Sequence, residues 1–131
     1  MLLIDDEADI TYALKLGLER TGIDVTVFND PLEALQELKK EHDYDLIICD
    51  IRMPGMSGSE LYRQMRRHDA DTPIAFMSAS EVYPREFETI IPDLGPRALL
   101  KKPMTIADLA ARVHEMLDGT DEVTPNQSAP N

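Results

Sequence analysis

Short uninterrupted apolar runs recur along this chain, with amphipathic segments between them. An apolar run of this length is typical of a strand buried on both faces of a parallel sheet. The predicted strands cover residues 2–4, 25–28, 45–49, 74–77 and 98–101. Because strand and helix patterns alternate, we predict an α/β protein with a parallel sheet and helices on both faces.

Helical patterns fill the spaces between the predicted strands. The first helix covers 8–20, and its apolar face is predicted to consist of Ile10, Ala13, Leu14, Gly17 and Leu18. Asp30 as N-cap and Pro31 at the first helical position begin the second helix, which extends to residue 40. The third covers 59–68, the fourth is a two-turn segment at 85–91, and Thr105 caps the fifth.

Residues suited to phosphoryl chemistry follow the predicted strands at the point where each strand ends. Asp5 and Asp6 follow the first strand, and Asp50 follows the third. Ser78 and Lys102 follow the fourth and fifth. The carboxyl ends of parallel strands meet at one edge of the sheet, where open α/β sheets bind ligands. Three carboxylates placed there repel one another, so the pattern predicts a bound cation.

These residues, in this order and spacing, resemble the receiver domain of two-component response regulators, of the chemotaxis-regulator type. The matching segments are Asp5-Asp6-Glu7, the stretch from Asp50 to Gly58, Ser78-Ala79 and Lys102-Pro103. The resemblance covers 1–118 and implies a flavodoxin-like, doubly wound sheet of five parallel strands in the order 2-1-3-4-5. Residues 119–131 show no periodicity and are predicted to form a disordered tail or linker.

The resemblance implies a role for each site residue. Asp50 would accept a phosphoryl group from a sensor histidine kinase and become a 4-aspartylphosphate. Asp5, Asp6 and Asp50, with the backbone carbonyl of Arg52, would hold Mg²⁺. Lys102 would contact the phosphoryl oxygens, and Ser78 would be the hydroxyl that responds to phosphorylation. Such a chain is a signalling protein, and the only reactions it catalyses are its own phosphorylation and dephosphorylation.

The resemblance also bears on regulation and output. A surface around the fourth helix, the fifth strand and the fifth helix would change on phosphorylation and act on a downstream protein target or effector domain, with a phosphorylation-dependent homodimer left open. Arg52 and Ser80 stand where the family tunes dephosphorylation and contacts partners, and the small Ala79 follows Ser78. The Lys102–Pro103 peptide would be cis. Leu99 departs from the family, which usually carries Tyr or Phe there.

Composition excludes several other classes of function. The formal net charge of −12 argues against direct binding to nucleic acid or to an anionic membrane. No apolar run is long enough to span a bilayer, and a signal-like N-terminus is absent, so a cytoplasmic protein is predicted. The single cysteine, Cys49, lies in a predicted strand and is interpreted as a buried structural thiol.

Two alternatives from other classes remain. One is an aspartate-dependent phosphatase of the haloacid dehalogenase type, whose nucleophile lies in an Asp-x-Asp motif after the first strand, unlike Asp5-Asp6-Glu7. The other is a pseudo-receiver, a binding module that takes up no phosphoryl group. Turnover of a generic phosphate ester would support the first alternative, and failure to take up phosphate would support the second.

Overall fold

A computed structural model of the chain describes residues 1–69, 71–78, 98–102 and 104–118. All five strands are parallel, and they lie in the order β2-β1-β3-β4-β5. Their bounds are β1 Leu2–Ile4, β2 Thr26–Phe28, β3 Ile47–Asp50, β4 Ile74–Ser78 and β5 Leu99–Lys101. The predicted fold class and strand order are therefore confirmed.

Several predictions concern residues outside this description. They are the fourth predicted helix at 85–91, the side chains of Ala79 and Ser80, the Lys102–Pro103 peptide and the tail at 119–131.

The described helices agree with the predicted ones to within three residues at each end. They are α1 Ala8–Glu19, α2 Pro31–Lys39, α3 Gly58–Met65 and α4 Ile106–Leu117, the last being the fifth helix predicted from the sequence. The Asp30 side chain accepts a hydrogen bond from the Leu32 N–H, and Pro31 begins the helix. The Thr105 side chain accepts from the Asp108 N–H. Both predicted N-caps are confirmed.

Among the described residues, the core lies between the sheet and a pair of helices on each face. Helix α1 lies against α4, and α2 lies against α3. Every residue of β1, β3 and β4 is buried, as expected for central strands covered on both faces. Cys49 in β3 has no exposed surface, which agrees with its interpretation as a buried thiol, and burial raises its pKa.

The predicted apolar face of α1 is partly wrong. Leu14 and Leu18 are buried, but Ile10 is 40% exposed and Ala13 is also exposed. Thr11 takes the buried place instead, with 1% of its surface exposed. Its hydroxyl lies within hydrogen-bond distance of the carbonyls of Glu7 and Ala8, so burial leaves no polar group unpaired. Hydrophobic periodicity does not detect a polar side chain that is satisfied in this way.

The longest described helices, α1 and α4, have 12 residues each. A bilayer-spanning helix needs about 20 residues, and no helix within the described ranges meets that requirement.

Candidate functional site

An acidic cluster lies at the carboxyl edge of the sheet. Ile4 and Cys49 are paired in the register of β1 and β3, so Asp5 and Asp50, which follow them, are neighbours. Asp5, Asp6 and Asp50 each present a carboxylate oxygen, and these three oxygens lie within 4.8 Å of one another. The structure thus brings together the three carboxylates that the sequence places behind two separate strands.

Asp5 is the most deeply buried member of this cluster, with 1% of its surface exposed. Its Oδ1 accepts a hydrogen bond from the Glu7 N–H at 3.0 Å. Its Oδ2 accepts from the Lys102 ammonium group, also at 3.0 Å. A buried carboxylate needs a charged partner or hydrogen bonds, and Asp5 has both.

Asp50 is the last residue of β3, and its carboxylate is held at both oxygens. Oδ1 accepts from the Arg52 N–H at 3.3 Å, and Oδ2 accepts from Lys102 Nζ at 3.3 Å. Burial and the nearby charge of Asp5 raise the pKa of Asp50 above its usual range, although Lys102 and the Arg52 N–H partly oppose this. A bound cation would therefore reduce the repulsion between the carboxylates of Asp5 and Asp50.

Lys102 bonds to both buried aspartates, although it lies at the end of the edge strand β5. It directly follows β5, and its own N–H donates to the carbonyl of Ser78 at 2.8 Å. Burial disfavours the charged ammonium, but the hydrogen bond and charge of Asp5, followed by those of Asp50, raise the pKa of Lys102. The neighbouring Lys101 is exposed. The sequence-based choice of Lys102 over Lys101 agrees with this placement.

Ser78 is the last residue of β4, the strand that lies between β3 and β5. Met77 pairs with Asp50 in the register of β3 and β4, so Ser78 lies one residue beyond the aspartate. Ser78 is 1% exposed, and its Oγ has no hydrogen-bond partner among the described residues. A buried hydroxyl without a partner is rare and costly, and it marks a place where a further acceptor would be stabilising.

Two glycines shape the loop after Asp50, for different reasons. Gly55 has a φ of +87°, a conformation that glycine adopts without steric cost. Gly58 instead allows a close approach: a Cβ there would lie 2.3 Å from the carbonyl oxygen of Asp50. Its N–H donates to the carbonyl of Ile51 at 2.7 Å, which holds the start of α3 against the end of β3.

A cavity of about 370 Å³ opens beside the cluster and is lined by Asp6, Glu7, Asp50, Arg52 and Lys102. The carboxylates among these lining residues offer oxygen ligands. Mg²⁺ prefers such ligands and retains several of its waters, so the donor set fits this ion. Asp5, Asp6 and Asp50 are the residues whose side chains could hold it.

Sequence patterns did not predict Asn29, which bonds to the acidic cluster, or Thr11, which bonds to Asn29. Asn29, directly after β2, donates a hydrogen bond from Nδ2 to the backbone carbonyl of Asp5 at 2.7 Å. The same Nδ2 donates to Thr11 Oγ1 at 2.8 Å. The position of Asn29 at the end of a strand, at the same edge as the aspartates, is a signal that could have found it.

Leu99 lies at the start of β5, paired with Phe76 of β4. It is partly buried and packs against the core, as predicted for an aliphatic side chain at this position.

Comparison with known proteins gives one consistent family. The family model described as "Response regulator receiver domain" matches residues 1–114. The transcriptional regulatory protein YkoG of Bacillus subtilis is 32% identical over 117 residues, which cover 89% of this chain and 50% of that protein. The alkaline phosphatase synthesis transcriptional regulatory protein PhoP of the same organism is 31% identical, over 100% of this chain and 53% of the relative. The chain thus spans about half the length of the curated relatives it matches.

Solved structures lead to the same family. The receiver domain of the Francisella response regulator 1452 superposes with a TM-score of 0.75 at 30% identity, covering 92% of this chain and 97% of that one. A response regulator receiver protein from Sinorhizobium medicae gives a TM-score of 0.75 at 29% identity, covering 92% and 94%.

Proposed function

Because this chain belongs to the response regulator receiver domain family of two-component systems, we propose that it accepts a phosphoryl group on Asp50. Members of this family are signalling domains rather than classical enzymes. The proposed phosphodonor is the phosphohistidine of a sensor histidine kinase. The proposed receiver unit is 1–118, and 119–131 is a tail or linker.

One observation carries the proposal: Lys102 Nζ lies within hydrogen-bond distance of Asp5 and Asp50 at the edge of the acidic cluster. A lysine that neutralises a buried structural carboxylate needs a single partner. Here one ammonium group donates to two carboxylates and lies 3.6 Å from a third, that of Glu7, beside a cavity that the carboxylates of Asp6 and Asp50 also line. This arrangement supports the proposed roles of Asp50 as nucleophile, Asp6 as metal ligand and Lys102 as the cationic group beside them.

The reaction is an in-line displacement at phosphorus. A carboxylate oxygen of Asp50 forms the new P–O bond while the P–N bond to the donor imidazole breaks, and the electron pair of that bond remains on the imidazole. Mg²⁺, held by Asp5, Asp6, Asp50 and the Arg52 carbonyl, would supply positive charge for the phosphoryl oxygens. The Arg52 N–H at Asp50 Oδ1 orients the carboxylate. Lys102 offers a second positive charge to the incoming group.

Ser78 provides the response to phosphorylation. Its Oγ–H, which has no acceptor among the described residues, would donate to a phosphoryl oxygen on Asp50. That new bond favours one of two arrangements of the surrounding surface. The surface proposed to change includes β5 and α4, and with Leu99 in place of an aromatic residue we propose that its response does not depend on an aromatic rotamer.

The proposal extends to what the domain acts on and where in the cell it works. The curated relatives named above are transcriptional regulatory proteins about twice the length of this chain. We propose that the switched surface acts on an effector domain or a separate target protein, and that a homodimer is one form of this output. The domain is proposed to work in the cytoplasm without contacting nucleic acid or membrane itself.

The test is the intact mass of the protein after incubation with acetyl phosphate, with and without Mg²⁺, beside Asp50→Asn. We expect a single-phosphoryl adduct that requires Mg²⁺ and is absent from the variant. An adduct retained in Asp50→Asn would refute Asp50 as the acceptor. If neither acetyl phosphate nor a panel of phosphorylated histidine kinases labels the folded protein, it is a pseudo-receiver. Multiple turnovers of p-nitrophenyl phosphate would identify a phosphatase.

A further inference from the structure

The backbone N–H and carbonyl of Asp5 both form hydrogen bonds with residues at the end of β2. Its N–H donates to the carbonyl of Phe28 at 3.2 Å. Its carbonyl oxygen accepts from Asn29 Nδ2 at 2.7 Å. The first bond continues the parallel ladder between β1 and β2, which any residue could make. The second depends on an amide side chain at position 29.

This second bond acts on the peptide unit that joins Asp5 to Asp6. The Asp5 carbonyl and the Asp6 N–H belong to one rigid plane, so an anchor on the oxygen also restricts rotation about the bonds on either side. Those rotations set the directions in which the two carboxylates leave the backbone. A change in either direction would move a carboxylate oxygen relative to the other two, and the three now lie within 4.8 Å of one another.

The orientation of the Asn29 amide is determined by its partners. The Asp5 carbonyl can only accept, so the amide nitrogen must face it. Nδ2 also donates to Thr11 Oγ1 at 2.8 Å. The single hydroxyl proton of Thr11 is directed to the backbone carbonyls of Glu7 and Ala8, at 3.2 Å and 3.0 Å. That leaves the hydroxyl oxygen free to accept from Asn29.

We infer that Asn29, oriented by Thr11, is a positioning residue that holds the Asp5–Asp6 peptide in the conformation needed for metal binding. This inference rests on the proposed function, because it assumes that the acidic cluster binds Mg²⁺. Asn29 itself is exposed, so its side chain does not contribute to the core. Its effect on the site is therefore separable from an effect on packing.

The experiment measures Mg²⁺ affinity by isothermal titration calorimetry on the full chain without phosphorylation. We expect Asn29→Ala to weaken Mg²⁺ binding about tenfold, the usual loss when a residue that orients metal ligands is removed. Thr11→Val removes the hydroxyl at nearly constant volume, and we expect a loss in the same direction. Thr11→Ser keeps the hydroxyl, and we expect it to restore most of the affinity.

Thr72→Val is the matched control. Its hydroxyl bonds to Asp69 in the loop before β4, at the opposite edge of the sheet, so its loss destabilises the fold away from the cluster. We expect this variant to bind Mg²⁺ with unchanged affinity. An equal loss of affinity in Thr72→Val and Asn29→Ala would show that the effect is general destabilisation, and would overturn the inference.

Two other results separate this inference from the proposed function. Wild-type Mg²⁺ binding together with an Asn29→Ala affinity within twofold of the wild type overturns the positioning role alone. Failure of the wild type to bind Mg²⁺ overturns both. The Asp6 amide signal in a ¹⁵N–¹H NMR spectrum gives a second readout: it should shift in Asn29→Ala and keep its position in Thr72→Val.

Discussion

The ammonium nitrogen of Lys102 lies 3.0 Å from Oδ2 of Asp5, a residue 97 positions away in the chain. Asp5 is almost fully buried, whereas the side chain of Lys102 is 21% exposed. The ion pair thus joins β1 to β5, across the two strands that lie between them. It also places a positive charge against the carboxylates proposed to bind a metal, so the lysine and the metal are in electrostatic competition.

This competition leads to a prediction for Lys102→Met, which keeps most of the side-chain length and removes the charge. Without Mg²⁺ we expect a loss of about 3 kcal/mol in the free energy of unfolding, because Asp5 is left buried without its cation. Mg²⁺ should bind the variant more tightly than the wild type and stabilise it more. Urea denaturation with and without Mg²⁺ measures both effects. Equal stabilisation of the two proteins by Mg²⁺ would contradict the competition.

The raised pKa of Asp50 predicts how stability depends on pH in the absence of metal. Burial and the charge of Asp5 favour the protonated form in the folded protein. The stability contributed by this group is complete below its unfolded pKa, about 3.9, and is lost as pH rises through the higher folded pKa. Asp50→Asn should therefore be more stable than the wild type near neutral pH, and the gap should narrow towards pH 3. Denaturation midpoints across this range in EDTA provide the measurement.

The buried hydroxyl of Ser78, which has no hydrogen-bond partner among the described residues, predicts an unusual combination of effects. Removing it relieves the desolvation cost of the group, so Ser78→Ala should leave stability unchanged or raise it by about 1 kcal/mol. Phosphoryl uptake on Asp50 should continue. Phosphorylation-dependent NMR shifts in β5 and α4 should shrink, because no hydroxyl bonds the phosphoryl group. Shifts as large as those of the wild type would remove Ser78 from the switch.

Because Gly58 lies so close to the Asp50 carbonyl, replacing it with alanine should destabilise the fold more than the same change at Gly55. In Gly58→Ala the new Cβ would contact the Asp50 carbonyl at 2.3 Å, so backbone must move, at about 2 to 3 kcal/mol. In Gly55→Ala the new Cβ meets no atom within 4 Å among the described residues other than its chain neighbours, so the cost comes from the positive φ, about 1 kcal/mol. Urea denaturation of both variants gives the comparison. We also expect Gly58→Ala, but not Gly55→Ala, to weaken Mg²⁺ binding by displacing Asp50.

Asp69 lies in the loop before β4, at the opposite edge of the sheet. Its lowered pKa predicts that the free energy of unfolding decreases in acid. Burial works against its charged form, but hydrogen bonds from the Thr72 hydroxyl and from the N–H groups of Asp71 and Thr72 lower its pKa overall. His42 Nε2 also lies 3.1 Å from its Oδ2. A lowered folded pKa contributes stability above the unfolded pKa of about 3.9, and this is lost as pH falls through the folded value.

The variant Asp69→Asn tests that contribution. Near neutral pH we expect it to lose about 1 to 2 kcal/mol of the free energy of unfolding, since bonds to a charged acceptor become bonds to a neutral one. As pH falls from the unfolded pKa towards the lower folded pKa of Asp69, the difference from the wild type should shrink. A difference that stays constant from neutral pH to pH 3 would show that the charge of Asp69 contributes nothing.

The fold, and the gathering of the candidate site residues at one edge of the sheet, could be predicted from sequence because both depend on local patterns. Buried parallel strands leave apolar runs, and α/β connectivity brings their carboxyl ends to one edge, so Asp5, Asp50, Ser78 and Lys102 could be located without coordinates. Caps such as Asp30 and Thr105 are equally local, since the capping side chain and the N–H it bonds lie within three residues.

The remaining features depend on contacts between residues distant in sequence, which no local pattern records. Nothing in the apolar pattern of α1 distinguishes buried Thr11 from exposed Ile10, because the burial of Thr11 relies on hydrogen bonds that include one from Asn29, 18 residues away. The glycine at 58 is explained by the position of the Asp50 carbonyl rather than by its own φ. Local chemistry thus determined which residues reach the site, and packing between distant segments decided how they are oriented and charged.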